Sequence, residues 1–165
     1  MTAGCGRERL AMDWVITTAD VRDAGEVMTV QRAAYVSEAQ LYDNPHFSAL
    51  REPIEEIREA IAAGEVLVAK AGTRIVGAVR GTRQGEECHV GRLVVAPDMR
   101  GRGIGAALLR AVEARNRPEV RRFVLFTGDR SVANIRLYLK AGYLETDRRV
   151  VAETLSLVYL AKPSE

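Results

Sequence analysis

Two arginines and three glycines stand close together at Arg100, Gly101, Arg102, Gly103 and Gly105. They lie between the β-favouring run Leu93-Val94-Val95 and an apolar-periodic stretch that begins at Ile104. Glycine has no Cβ, so successive backbone N–H groups can turn toward a ligand and approach it closely. A helix opening at Ile104 adds unpaired N–H groups and the positive end of its dipole. Arg100 and Arg102 contribute full charge in a fork that suits phosphate oxygens. The chemistry implied is the binding of a pyrophosphate.

Phosphate-binding loops of different kinds leave different traces. A P-loop needs Gly-Lys-Ser or Gly-Lys-Thr after the glycines, which this chain lacks. A dinucleotide fingerprint can be forced onto Gly101, Gly103 and Ala106, but it needs the strand to end at the first glycine. Here Pro97-Asp98-Met99-Arg100 intervenes, and the position about twenty residues on, where that fingerprint wants an acid, falls in the apolar run Phe123-Val124-Leu125-Phe126. What remains is an ordinary glycine-rich turn or a third pattern. Arg100-x-x-Gly103-x-Gly105 resembles the (Gln/Arg)-x-x-Gly-x-(Gly/Ala) loop of the GNAT superfamily of acyl-CoA-dependent N-acyltransferases. Asn134-Ile135-Arg136-Leu137-Tyr138, followed by Gly142-Tyr143, resembles a second segment of the same family.

The resemblance implies acetyl-CoA as cofactor and transfer of an acetyl group to the primary amine of a small molecule, directly within a ternary complex. A protein or peptide amine is the alternative acceptor, and a non-catalytic acyl-CoA sensor is the rival of another class. It implies that backbone N–H groups of Leu93, Val94 and Val95 polarise the thioester carbonyl, with Val95 nearest. It assigns the coenzyme's phosphates to the segment from Arg100 through Ile104 to Gly105. The pantetheine arm falls to Asn134 or Ser131, since both stand at positions the family uses. Tyr138 resembles the acid that protonates the leaving thiolate; a structural tyrosine on the core rim is the plain alternative. His89 falls where some members carry a catalytic base, and strict strand alternation would put it on the side of Gly91, Leu93 and Val95. A structural histidine is the competing reading. Acceptor-binding candidates are Tyr35, Glu38, Tyr42, Asp43 and His46, with a carboxylate suited to a cationic amine. Cys88, on the other parity from His89, reads as a small buried residue.

The elements that must position these groups follow from periodicity. Trp14-Val15-Ile16-Thr17 is a β-run, and Asp20 can cap a helix whose apolar spacing fades after Ala34. Residues 37–47 carry no clear period and include Asn-Pro, so they read as a loop or broken helix. Pro53 opens a second helix closed by Gly64. Three strands follow, over 66–69, 75–79 and 88–95, then the helix from Ile104 to Asn116. The continuous apolar run Phe123–Thr127 reads as a buried central strand. Ser131 can cap a further helix ending before Gly142, and two β-runs, 144–151 and 154–160, complete the chain. This order implies an α/β (α+β) GNAT fold with a central mixed, mostly antiparallel sheet of about seven strands and about four helices on both faces.

The 165 residues suit one domain, 13–165, after a disordered extension, 1–12, in which Met12 is an alternative start. A net charge of +2 is too small for a nucleic-acid or membrane-surface footprint. Two cysteines and two histidines build neither a disulfide framework nor a metal cluster, so no metal is expected. The N-terminus lacks a signal peptide's apolar core and no run is long enough to span a membrane, so a cytoplasmic protein is expected, with a homodimer as a compatible state.

Overall fold

The computed structural model describes residues 13–165. The expectations about Met12 and the 1–12 extension, which contains Cys5, lie outside the described residues. Strand β1 (Val15–Thr18) leads through a single 3₁₀ turn into α1 (Ala24–Leu41), followed by α2 (Ser48–Arg51) and α3 (Ile54–Ala62). The meander β2 (Val66–Ala71), β3 (Arg74–Gln84) and β4 (Glu87–Val95) precedes α4 (Ile104–Asn116). Then come β5 (Arg122–Gly128), α5 (Val132–Lys140), β6 (Leu144–Ala152) and β7 (Leu155–Pro163). The sheet runs β1-β2-β3-β4-β5-β7-β6, and β4 with β5 is its one parallel pair among the described residues. That pair brackets α4, the crossover helix a parallel connection requires.

Local signals account for several boundaries. Asp20 accepts the Arg22 N–H while Asp23 accepts the Asp20 N–H, a capping box that starts the turn running into α1. Gly64 and Gly142, at φ +75° and +97°, end their helices in the left-handed conformation that glycine adopts without strain.

Two expectations are corrected. Helix α1 does not break at Ser37 but continues to Leu41. Its apolar period fades because Tyr35, Glu38 and Tyr42, spaced i, i+3 and i+7, face a cavity instead of the core. The one-turn α2, just after the segment read as a loop, brings the helix count to five. Strand β5 is not buried on both faces. Phe123, Leu125 and Thr127 are buried while Phe126 is 60% exposed, because its face borders the same cavity.

Helices α1 and α4 clasp opposite faces of the sheet at β3. Gly77 and Gly81, on one face, lie under α4. A Cβ on Gly77 would meet Leu108 and Ile104, and one on Gly81 would stand 2.6 Å from a Val112 methyl. Arg80, of the other parity, donates to Glu52, to which Gln31 of α1 also donates. Cys88 is fully buried near Gly81, and burial raises its thiol to about 11, which fits the packing role expected. The outer strand β6 is exposed along its whole length.

Gly81→Ala tests the close approach of α4 to β3. The β-branched Val112 cannot yield easily, so the variant should lose about 1–3 kcal/mol and melt several degrees lower. An unchanged melting curve would show that the two elements are not in tight contact.

Candidate active site

The cavity follows from a parting of strands. β4 pairs with β5 only through Glu87, Cys88 and His89, against Arg122, Phe123 and Val124. Beyond that the two strands diverge, and a cavity of about 640 Å³ fills the gap. Its walls include Gly91 to Val95 of β4, Phe126 to Gly128 of β5, one face of α1, the glycine loop and one face of α5.

A bulge shapes the β4 wall. Ala78 pairs with Val94 but Arg80 pairs with Gly91, so β4 carries one more residue than β3 there. Arg92 absorbs the extra length at φ +49°, an unusual conformation for a side chain other than glycine. The extra residue reverses the parity of everything after it. His89 shares a face with Thr82, whereas Val95 pairs with Gly77 on the α4 face. The expectation that His89 and Val95 share a side is therefore corrected. His89 is exposed, sits 3.4 Å from the Glu87 carboxylate and does not line the cavity.

Past the bulge the backbone aims donors into the gap. The Ala96 N–H donates to the Val76 carbonyl on β3. By strand alternation the Val95 N–H points the other way, where β5 has withdrawn. Leu93, Val94 and Val95 all line the cavity.

The glycine loop closes one end. Gly101 and Gly103 adopt φ of +76° and +81°, and a Cβ on either would project into open space. Gly103 occupies the N-cap of α4, and no side chain caps the helix there. Its first-turn N–H groups are thus available to an anion. Gly105 and Ile104 complete the lining. The two arginines behave differently from the expectation. Arg100 lines the cavity but donates to the Ala34 carbonyl at 3.1 Å and the Ser37 hydroxyl at 3.3 Å, tying the loop to α1. Arg102 is exposed and outside the lining.

Helix α5 presents Asn134 and Tyr138, i and i+4, to the cavity, with Val132 and Leu139 turned outward. Ser131 does not line it; its hydroxyl donates to Glu38 at 2.5 Å. Of the two polar candidates for a pantetheine arm, only Asn134 faces the cavity. Tyr138 is buried, packs edge-on against Tyr143 at 6.0 Å, and has no hydrogen-bond partner for its hydroxyl among the described residues. Burial holds its phenol well above the usual value.

Tyr35, Glu38 and Tyr42 line the cavity from α1 and its C-terminal end. Tyr42 accepts the Arg130 N–H at 2.7 Å and packs so close to Gly128 that no side chain fits there. Asp43 and His46 are exposed and outside the lining, because α1 carries the chain past the cavity before they occur. Arg92, Phe47 and Ser48 line the cavity although sequence reasoning passed over them. Arg92 had no readable signal, since its position depends on the bulge. Behind them Glu52 is buried, accepting from Arg80 and Gln31. Burial raises its pKa, but those bonds and the charges of Arg80 and Arg92 outweigh that and hold it below the ordinary carboxylate value. Among the described residues no cluster of three or more acidic, His or Cys groups could hold a metal, and no helix is long and apolar enough to cross a membrane.

Comparison with known proteins agrees with this geometry. The sequence model of the acetyltransferase (GNAT) family matches residues 32–143. The chain belongs to that family. Among solved structures, yncA of Salmonella typhimurium with its cofactor acetyl-CoA superposes with a TM-score of 0.75 at 18% identity, over 92% of this chain and 94% of that one. The PaiA N-acetyltransferase of Thermoplasma acidophilum in complex with coenzyme A gives 0.76 at 16% identity, over 89% and 98%. The UPF0157 protein YqkA of Bacillus subtilis is 27% identical over 135 residues, which are 81% of this chain. The chain spans only 38% of that relative's length.

The open cradle at Gly103 makes a direct prediction. Gly103→Glu fills it with a side chain and a negative charge, so calorimetry should detect no acetyl-CoA binding by a variant that remains folded. Unchanged affinity would remove the glycine loop from the site.

Proposed function

We propose that the protein acetylates the primary amine of a small molecule by direct transfer in a ternary complex. The observation that carries this reading is Glu38. It is the one carboxylate lining the cavity among the described residues. Tyr35, Tyr42 and Phe47 line the same cavity and supply aromatic walls of the kind that small-ligand sites use.

Acetyl-CoA supplies an acetyl group activated as a thioester and departs as a thiol. The residues of this chain then have separable tasks. The uncapped N–H groups at the start of α4, with Gly101 and Gly103, hold the phosphates. Asn134 reaches toward the pantetheine arm. The Val95 N–H donates to the carbonyl oxygen as negative charge grows on it, a fixed donor that needs no reorganisation. Glu38 draws in the ammonium form of the acceptor and takes its proton, since an alkylammonium with a pKa of about 10 has no lone pair to attack with. Ser131, donating to that carboxylate, fixes its orientation. Tyr138 protonates the departing sulfur. Burial keeps the phenol in its neutral, proton-donating form at neutral pH, which is the state the task requires.

Screening a panel of amines and amine-bearing peptides for thiol release tests the acceptor class. Turnover with small amines is expected. Turnover with peptides alone would move the assignment to a protein acceptor, and none at all would favour a sensor of acyl-CoA.

Tyr138→Phe keeps the ring and removes the donor. Its kcat should fall on the order of 10²-fold with the KM for acetyl-CoA little changed. Because the phenol's pKa is raised, the donor form persists up to and beyond the ordinary tyrosine value near 10, so no alkaline limb from Tyr138 should appear in the kcat profile below that pH. Full activity in the variant would leave Tyr138 a packing residue.

A further inference from the structure

The cavity lining holds a second charge whose needs are only partly met inside the protein. Arg92 lines the cavity, and its side chain remains 26% exposed. Its nearest anion is Glu52, but that carboxylate is already engaged. Arg80 donates to Glu52 at 2.6 and 3.3 Å, and Gln31 donates at 2.8 Å. Arg92 keeps a contact of 3.4 Å from Nε to Glu52 and one of 3.4 Å to the Ser48 hydroxyl. Two guanidinium groups thus share one carboxylate, and the surplus positive charge belongs to the residue facing the cavity. A guanidinium offers five N–H donors in a planar fork, and these contacts, with the one to the Tyr35 hydroxyl, leave part of that fork free.

The backbone makes this placement a built feature. Arg92 is the bulge residue of β4 at φ +49°, a conformation that is costly for a long side chain. Glu52 from the end of α2, Ser48 from its start and Tyr35 from α1 surround it. Tyr35 feels both the Arg92 charge and the Glu38 charge, so the cation and the cavity's carboxylate flank one ring.

We infer that the acceptor carries an anion as well as its amine, and that Arg92 is the specificity residue that binds it. The substrate class is a small amphoteric amine, an amino carboxylic acid, whose ammonium meets Glu38 and whose carboxylate takes the free edge of the Arg92 fork. A guanidinium in a partly closed cavity attracts such a group by a charge-assisted bond. The inference rests on the small-amine reading above and narrows it.

The experiment compares matched acceptors in the wild-type enzyme: amino acids, their carboxamides and the corresponding decarboxylated amines, by thiol release. The kcat/KM should favour the carboxylate form by at least about tenfold. In Arg92→Gln, which keeps polarity and loses charge, that preference should collapse toward unity through a rise in KM for the acid. Arg92→Lys should retain part of it. Amines turned over with no preference for a carboxylate would overturn the inference and leave the small-amine reading standing. A preference that survives in a folded Arg92→Gln would likewise overturn it. Absence of turnover with every small amine would overturn both together. The wild-type comparison decides the matter even if a variant fails to fold.

Discussion

The site depends on one extra residue in one strand. Between Gly91 and Val94, β4 is longer than its partner β3, and the bulge turns the strand so that it can no longer follow β5. Everything else uses the space this creates. The Val95 N–H loses its neighbour, the Phe126 face of β5 is uncovered, and α1 can lay Tyr35, Glu38 and Tyr42 along the opening. A regular parallel pairing over the whole of β4 would satisfy those backbone groups within the sheet and leave no donor for a substrate.

The parted strands need holding, and polar contacts hold them from both sides. Arg100 ties the glycine loop to α1 through the Ala34 carbonyl. Glu38 and Tyr42 at the end of α1 reach the start of α5 through Ser131 and the Arg130 N–H. Beneath α5, Tyr143 packs against Tyr138, and the Tyr143 hydroxyl and Lys162 both donate to buried Glu113 on α4. Buried charge is stable only when paired and hydrogen-bonded, so this cluster fixes the floor on which Tyr138 rests. Several site residues thus serve both as ligands and as ties between walls.

This division explains what the sequence could disclose. The glycine loop and the Asn134–Tyr138 pair are local: their spacing sets backbone conformation and helix face without reference to distant residues. The strands and most helix limits followed from the same short-range patterns. The bulge has no such signature, because Gly91-Arg92-Leu93 reads as ordinary β-sequence. Strict alternation therefore misplaces His89, because the bulge breaks it, and nothing local marks Arg92. Asp43 and His46 were grouped with Glu38 because the apolar period of α1 fades when its face turns to a cavity. Arg102 looked equivalent to Arg100 until the loop's path separated them. In each case the missing information was a long-range register or a direction, which residue types alone do not encode.

One region lies outside the cavity lining yet bears on how the protein behaves in concentrated solution. Strand β6 is a fully exposed edge, and it presents Leu144, Val150 and Val151 to solvent. Such an edge is a template for pairing with another chain. Between those residues stand Glu145, Asp147, Arg148 and Arg149, joined in ion pairs of 2.9 and 2.8 Å. Ion pairs this exposed add little to folding stability. Their consequence is colloidal: charged, hydrated groups along the strand make its pairing with the edge of a second sheet costly.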